Sequence, residues 1–485
     1  MDKKSLANNT MIEGRFGLDD DFNNYITGKL CFNEETGVRL VLSDSFSDGI
    51  VETFREIQEV VERPIIKGYG NNGKYYELYN CFSMGGRINF GGLVQPSVNY
   101  GCEFLIEYQN HEIKDKEFRK ISFQIDKLNQ WCNTENCSEI KMHEPPFAFE
   151  LQNKKYWEKE KDGLVYSIAN GFSTTGENNV ELNVSFSYYL GIEYLPEKIN
   201  IENIKKHIEK ALDFKTLLTL LINERAHINQ ITLVGGDNYD YSANIYCYAV
   251  EPVKECVIDA QKICGMVGLN ALTNNLLEVF EKYTESKELI SGSVHSVLTL
   301  ADIKKHRKID VTNYVKQTAT AIEGFMRNCR RVLIEEPKKE FTEKMERILQ
   351  DQTAEDKVWL LNKLQYSNQA TFRKQVTKLF KEIKNKFPEF AKGLLDPKKQ
   401  MDDIVEKFVN TRNFYTHYDI ESKRAMLGTS SQIGLCDYIN EILRLLLLVE
   451  IGIDIDIIVN ANRHNQLLTS SKKYLLKSYS EENNG

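Results

Sequence analysis

"VTNYVKQTATAIEGFMRNCRRV", residues 311–332, is the stretch whose reading decides the fold. Val315, Thr318, Ile322, Phe325, Cys329 and Val332 recur at spacings of three and four, which lays them in one stripe along an α-helix. A helix with a single apolar stripe is stable when other helices cover it. Downstream, the segments around 341–350, 354–365, 371–387, 399–410 and 431–451 carry the same period, with Pro388 and Pro397 at breaks between them. Five or six antiparallel helices with short joins predict an all-α bundle over 310–485. The greasiest run, "LRLLLLVEIGI" from Leu443, holds Arg444 and Glu450 and reads as a core helix.

Upstream the period shortens. "RLVLSD", "KYYELYN", "CEFLIEYQN", "KISFQID" and "VELNVSFSYYLGIEY" are aromatic or β-branched and separated by turn signals such as "YGNNGK". A helical face follows from Ile204 through Ile208, Leu212, Leu217 and Leu221, and then two more strands, "QITLV" and "NIYCYAV". The expected class is therefore α+β. A β-rich domain, sandwich or barrel-like, spans 1–260, a helical connector spans 261–309, and the helical bundle follows.

The totals bound the partners. A chain of 485 residues predicts two or three domains, and 41% hydrophobic with 27% charged residues reads as soluble and globular. No stretch approaches the roughly 18 apolar residues of a membrane span. The N-terminal "MDKKSLANNTMIEGRF" lacks a secretory leader, and ten cysteines without a scaffold rhythm predict reduced thiols, hence a cytoplasmic location. The net charge of −8 is unevenly spread. Residues 301–485 carry 32 Lys+Arg against 26 Asp+Glu, a net of +6, which leaves 30 against 44, a net of −14, for the front. Any phosphate-bearing partner is expected at the basic back half.

There, "NTRNFYTHYD" at 410–419 gathers an arginine, two asparagines and a histidine. Asn413 and His417 are four apart and share one helix face, and the long side chain of Arg412 can swing onto the same patch. A guanidinium, an amide and an imidazole on one rigid element suit cleavage of RNA by its own 2′-hydroxyl. Imidazole moves the proton near neutral pH, the guanidinium takes the charge that develops on the phosphoryl oxygens, and the nucleophile already belongs to the substrate. No metal or other cofactor is required. Chance supplies roughly 0.02 such Arg-Asn-His sets in a chain of this composition. The bland alternative is a solvated helix end. On 371–387, Arg373, Lys374, Lys378 and Lys381 form a possible RNA-facing flank, or an ordinary wet helix face.

"RNFYTH" resembles the R-N-x-x-x-H motif of the HEPN superfamily, helical bundles of which many are metal-independent ribonucleases. "GRFGLDDDFNNYITGKLCFNEETGVRLVLS", "IIKGYGNNGKYYELYNCF" and "ISFQIDKLNQWC" resemble the N-terminal domain of ApeA-type phage-defence proteins, in which a β-rich domain precedes a HEPN domain. The resemblance implies an abortive-infection ribonuclease acting on host RNA, with tRNA a candidate target and a phage protein a candidate trigger sensed by the front domain. It also implies Arg412, Asn413 and His417 as the catalytic set, and a homodimer in which two motifs meet. The alternatives are a non-catalytic HEPN module that binds RNA or nucleotide, and a β-rich ligand-binding protein with a helical dimerisation scaffold.

Three other signals are weaker. Cys132, Cys137 and His143 lie close in sequence but lack a fourth zinc ligand and tight spacing. "SMGGRINFGG" has no Lys-Ser/Thr to close a phosphate loop and reads as turns between strands. "KKHRK" at 304–308 is a compact basic cluster at the expected domain junction.

Overall fold

The computed structural model describes residues 10–19, 25–33, 36–47, 49–89, 95–114, 117–132, 141–142, 149–150, 154–175, 183–195, 198–236, 240–251, 265–306, 310–364 and 367–484. It divides into two compact units, 1–216 with 226–258, and 217–225 with 259–485.

The first unit is built on antiparallel strands. They are β1 (Met11–Gly17), β2 (Ile26–Asn33), β3 (Gly37–Leu42), β4 (Glu62–Gly70), β5 (Tyr75–Asn89), β6 (Gln95–Tyr108) and β7 (Phe118–Ile125). A short pair, β8 (Lys141–Met142) and β9 (Phe149–Glu150), precedes β10 (Lys155–Lys161), β11 (Leu164–Thr175), β12 (Asn183–Tyr194), β13 (Ile228–Gly235) and β14 (Tyr241–Cys247). Three short helices, α1 (Ile50–Gln58), α2 (His111–Lys114) and α3 (Leu128–Trp131), and the part up to Thr216 of a long one, α4 (Ile201–Ile222), complete it. The order β6-β3-β2-β1-β4-β5 closes on itself because β5 also pairs with β6, giving a six-stranded barrel.

The strand β6 makes this possible by dividing one edge between two neighbours. Val98–Gly101 pair with β3, whereas Phe104–Tyr108 pair with β14, and its other edge follows β5. From β14 the sheet continues outward as β13-β7-β12-β11-β10. The outer strand β10, "KYWEKEK", is mostly exposed and charged, which discourages pairing with foreign strands. Alternating Leu30 and Phe32, and Val38, Leu40 and Leu42, are buried with Phe16. Gly68 belongs to this packing, since a Cβ there would collide with the Phe16 ring. The glycines of "SMGGRIN", expected as a turn, instead form a bulge inside β5. The register shifts between Ser83 and Gly86, and Gly85 takes a left-handed φ of +85°, which an L side chain resists. Phe90–Gly92 of that stretch lie outside the described residues.

Buried carboxylates in this unit are paired. Glu107 accepts from the Lys74 ammonium at 2.8 Å and from the Asn244 amide at 3.2 Å. Glu77 accepts from the hydroxyls of Tyr79 at 2.6 Å and Tyr108 at 2.8 Å. Such groups are tolerated in a core when each charge meets donors.

The second unit contains α5 (Leu276–His306), α6 (Val311–Asn328), α7 (Lys338–Leu349), α8 (Ala354–Leu364), α9 (Phe372–Lys386), α10 (Pro388–Ala391), α11 (Lys398–His417), α12 (Ile420–Arg424), α13 (Thr429–Glu450), α14 (Ile455–Asn462) and α15 (Gln466–Asn484). Asp310 caps α6, accepting from the N–H groups of Thr312 and Asn313. The stripe read from the sequence is the buried face of this helix: Val315, Thr318, Ile322 and Phe325 are fully enclosed. Residues 276–306, expected within a connector, form one continuous helix packed on α6 and α13. The Ser293 hydroxyl donates to the Ala321 carbonyl at 2.9 Å. The missed bundle helix is explained by its weak amphipathic contrast, with polar Ser293 and Ser296 on its buried face.

The core helix is α13, as its greasy run predicts, and it holds the fully buried Arg444. That guanidinium donates to Glu441 at 2.7 Å, to the Leu220 carbonyl at 2.9 Å, to the Gly265 carbonyl at 3.2 Å and to Asn462 Oδ1 at 2.7 Å. Glu441 in turn accepts from Asn223 at 3.0 Å and Asn465 at 2.7 Å.

Two predictions follow from these cores. Replacing Arg444 by leucine strands the Glu441 carboxylate without its cation, and should lower the unfolding free energy in urea by about 3–5 kcal/mol. In the first unit, His207 is buried beside the Tyr194 hydroxyl at 2.6 Å. Burial, aided by Lys210 and Lys206, pushes its imidazole from 6.5 down to about 4. The unfolded chain then takes up a proton at higher pH than the folded one. The stabilisation is complete above pH 6.5 and is lost as pH falls toward 4, by up to about 1.4 kcal/mol per pH unit. Thermal melts across that window should show the loss, and His207→Gln should flatten it.

Candidate active site

The helix α11 positions the motif. Met401, Ile404, Val405, Phe408 and Thr411 are its buried stripe, packed toward α6 and α9. The stripe stops at Thr411. Arg412 to Tyr415 are half-buried, and Thr416 and His417 are exposed. The helix ends directly after His417 because Tyr418 adopts a left-handed φ of 52°, its N–H bonding the Phe414 carbonyl at 2.7 Å. Asp419 then caps α12, accepting from the Glu421 N–H at 3.1 Å and the Ser422 hydroxyl at 2.7 Å. The Ser422 hydroxyl and that N–H hold the Asp419 carboxyl below its ordinary value, with His417 adding a smaller attraction.

The side chain of Arg412 does swing onto the expected patch. One terminal nitrogen donates to Asn413 Oδ1 at 3.2 Å and the other to the Glu323 carboxylate of α6 at 3.0 Å. The guanidinium also sits 5.4 Å from the centre of the Phe372 ring at the start of α9. It is therefore held from three sides, yet remains a quarter exposed. A guanidinium has five N–H donors, so Glu323 and Asn413 leave donors for an anion. Asn413 and Arg412 are thus brought together directly, and His417 stands one turn further on at the open end of the same helix.

Sequence reasoning missed Glu323. The available signal is its isolation: it is the only carboxylate in α6, beside the buried Ile322. Tyr415 packs, as expected: its hydroxyl donates to Gln432 Oε1 at 3.0 Å and its ring lies 5.5 Å from Phe414. Tyr418, expected to pack as well, is instead 69% exposed, with Ile420 equally so. The left-handed cap turns both outward.

The basic flank on α9 is divided. The Lys374 ammonium is committed to its own chain, donating to the Ile334 carbonyl at 2.8 Å and pairing with the Glu335 carboxylate at 3.4 Å. Arg373 is exposed and loosely paired with Glu406 at 3.6 Å. Lys378 and Lys381 are exposed on successive turns. Of the other sequence signals, burial pushes the Cys132 thiol up to about 12. Cys137 and His143, like Arg307 and Lys308 of the basic cluster, lie outside the described residues.

The base of the motif rests on Thr411, whose hydroxyl donates to the Lys407 carbonyl at 2.7 Å and accepts from the Leu427 N–H at 3.0 Å. Thr411→Val keeps the shape but leaves that buried N–H unpaired. Urea unfolding should show a loss of about 1–3 kcal/mol.

Comparison with known families assigns both halves. Residues 11–259 match ApeA N-terminal domain 1, and residues 317–456 match Apea-like HEPN. No curated protein and no solved structure matches the chain. The first match alone spans more than half of the sequence, and HEPN domains are generally ribonucleases, found here in a defence-related setting. The two matches therefore make this chain a member of the ApeA family, with a C-terminal HEPN domain.

Proposed function

We propose that the helical unit is an endoribonuclease that cuts RNA by attack of the 2′-hydroxyl on the neighbouring phosphate, and that it acts in the cytoplasm as an abortive-infection effector. The observation that carries this reading is the Arg412 guanidinium, restrained by Glu323 and Asn413 one turn before an exposed imidazole.

His417 takes the proton from O2′ as that oxygen bonds to phosphorus. The P–O5′ bond breaks and the departing oxygen receives a proton from a general acid. Arg412 binds the non-bridging oxygens, which gain negative charge in the transition state. Asn413 orients the guanidinium through its carbonyl. The nucleophile comes from the substrate, so the step needs no metal, and the products are a 2′,3′-cyclic phosphate and a 5′-hydroxyl. Each copy brings one imidazole from the motif. In a homodimer, the second copy's His417 would serve as the acid, and the outward Tyr418 and Ile420 suit a surface that is covered when two motifs meet. Arg373, Lys378 and Lys381 extend positive charge along α9 for the RNA backbone, and tRNA is the candidate substrate class. The barrel-bearing unit restrains the nuclease until a phage protein engages it, a role that rests on the family alone.

End mapping of cellular RNA after induction tests the chemistry. Wild type should generate 2′,3′-cyclic phosphate ends in the presence of EDTA. His417→Ala should reduce cleavage by about 10²–10⁴-fold with an unchanged circular dichroism spectrum. Glu323→Gln weakens the hold on Arg412, and should cut turnover while leaving RNA affinity nearly intact. RNA binding by wild type without any cleavage would reject the nuclease in favour of a binding module.

A further inference from the structure

The helix α1 is turned the opposite way from an ordinary surface helix. At 100° per residue, Ile50, Val51, Phe54 and Ile57 fall within about 120° of arc, an apolar face that normally packs inward. Here the residues that α1 buries are Thr53 and Glu56. Ile50 and Val51 are exposed by 62% and 75%, whereas Glu56 is fully enclosed. Phe54 and Ile57 are half-buried, and Val60, just past the helix, is exposed by 72%. Single exposed apolar residues are ordinary. An apolar helix face left outward while a carboxylate goes inward breaks two local preferences at once, and such breaks mark functional surfaces.

Polar bonds seat the helix, so Ile50 and Val51 are not needed for that purpose. Glu56 accepts from the hydroxyls of Ser45 and Tyr100, and from the Arg63 guanidinium at 3.3 Å. In the first turn, the Thr53 hydroxyl donates to the Gly49 carbonyl at 2.8 Å. Past the last turn, the Ser83 hydroxyl of β5 donates to the Glu59 carbonyl and accepts from the Val61 N–H, both at 2.8 Å. The apolar face is therefore a fixed ridge. Charge surrounds it: residues 44–63 carry six acidic side chains against two arginines. Arg63 faces the buried Glu56, and Arg55 is paired with Glu59 at 2.8 Å. Asp44, Glu52 and Glu62 are exposed and meet no cation among the described residues.

We propose that the outward face of α1 is a docking surface for a basic amphipathic helix of a partner protein. The apolar side of that helix covers Ile50 and Val51, and its lysines or arginines meet Glu52, Glu59 and Glu62. Shape and charge select this occupant. A nine-residue helix presents a convex ridge, and the row from Ile50 to Phe54 fits the groove between side-chain rows of a second helix. The acidic surround repels nucleic acid and anionic lipid alike. It attracts a cationic segment and orients it before the apolar contact closes. The surface lies wholly in the first unit, so the proposal does not depend on the nuclease reading.

Fluorescence anisotropy with the full-length chain tests it. The probe is a labelled synthetic helix of about five turns, with leucines on one face and lysines on both flanks. Wild type should bind it at micromolar concentration, and more weakly as salt rises. The double variant Ile50→Ser/Val51→Ser changes no charge and should raise the dissociation constant by about 10-fold or more. Both residues are exposed, so the melting profile should not change. Glu52→Lys/Glu59→Lys should lose the lysine probe and gain binding of the same helix with glutamates in place of its lysines. A photo-crosslinking phenylalanine derivative at position 51 should attach to the leucine face of the probe. Equal affinity of wild type and the serine variant, or a preference for lysine that survives charge reversal, would overturn the surface. So would a crosslink from position 51 to a second copy of this chain, which would make the face a self-contact.

Discussion

A guanidinium with no access to water organises the helical unit. Burying a cation is costly unless each of its donors finds an acceptor, and Arg444 finds them in three separate stretches of chain around Leu220, Gly265 and Asn462, besides Glu441 on its own helix. Those stretches must therefore converge on one side of α13. An apolar residue at 444 would pack there but would not specify which loops meet it. The polar node gives direction to a helix that is otherwise greasy on nearly every face.

The same helix reaches the motif at its other end. Gln432, in the first turn of α13, donates to the Leu427 carbonyl at 2.6 Å and accepts from Tyr415. Leu427 is in turn bonded to Thr411. The last turns of α11 are thus fixed by buried hydrogen bonds up to Tyr415, and become open two residues later. That gradient matters for chemistry. In the reaction proposed for this turn, the charge-stabilising group would belong on the rigid side, where Glu323 and Phe372 hold Arg412, and the proton-transferring group where substrate can arrive. Preorganised charge acts without reorganising as the reaction proceeds, which is why it dominates many rate enhancements.

The front unit answers a different physical problem. A twelve-stranded antiparallel sheet would expose long edges, and here six strands abolish theirs by closing into a barrel. The strand β6 is the hinge of the design, since its first half closes the barrel and its second half starts the outer sheet. The opposite end of that sheet is protected by charge on β10 rather than by closure. A folded, edge-protected module of this kind is suited to presenting loops and grooves, consistent with the regulatory role proposed for it in a defence protein.

Local patterning was enough to separate the β-rich front from the helical back, to set Val315, Thr318, Ile322 and Phe325 facing inward, and to put Arg412, Asn413 and His417 on consecutive turns. These features depend on spacing along the chain, and periodicity states directly which face is buried. It does not state what that face is buried against. Only the folded chain paired Arg412 with Glu323, 89 residues away, and consumed Lys374 in a bond to the Ile334 carbonyl, where local sequence offered a phosphate contact. Only the fold showed that 276–306 is part of the bundle, that "SMGGRIN" bulges within a strand, and that β6 serves two sheets at once. Each of these was settled by partners distant in sequence, whose contact energies outweighed the local preference.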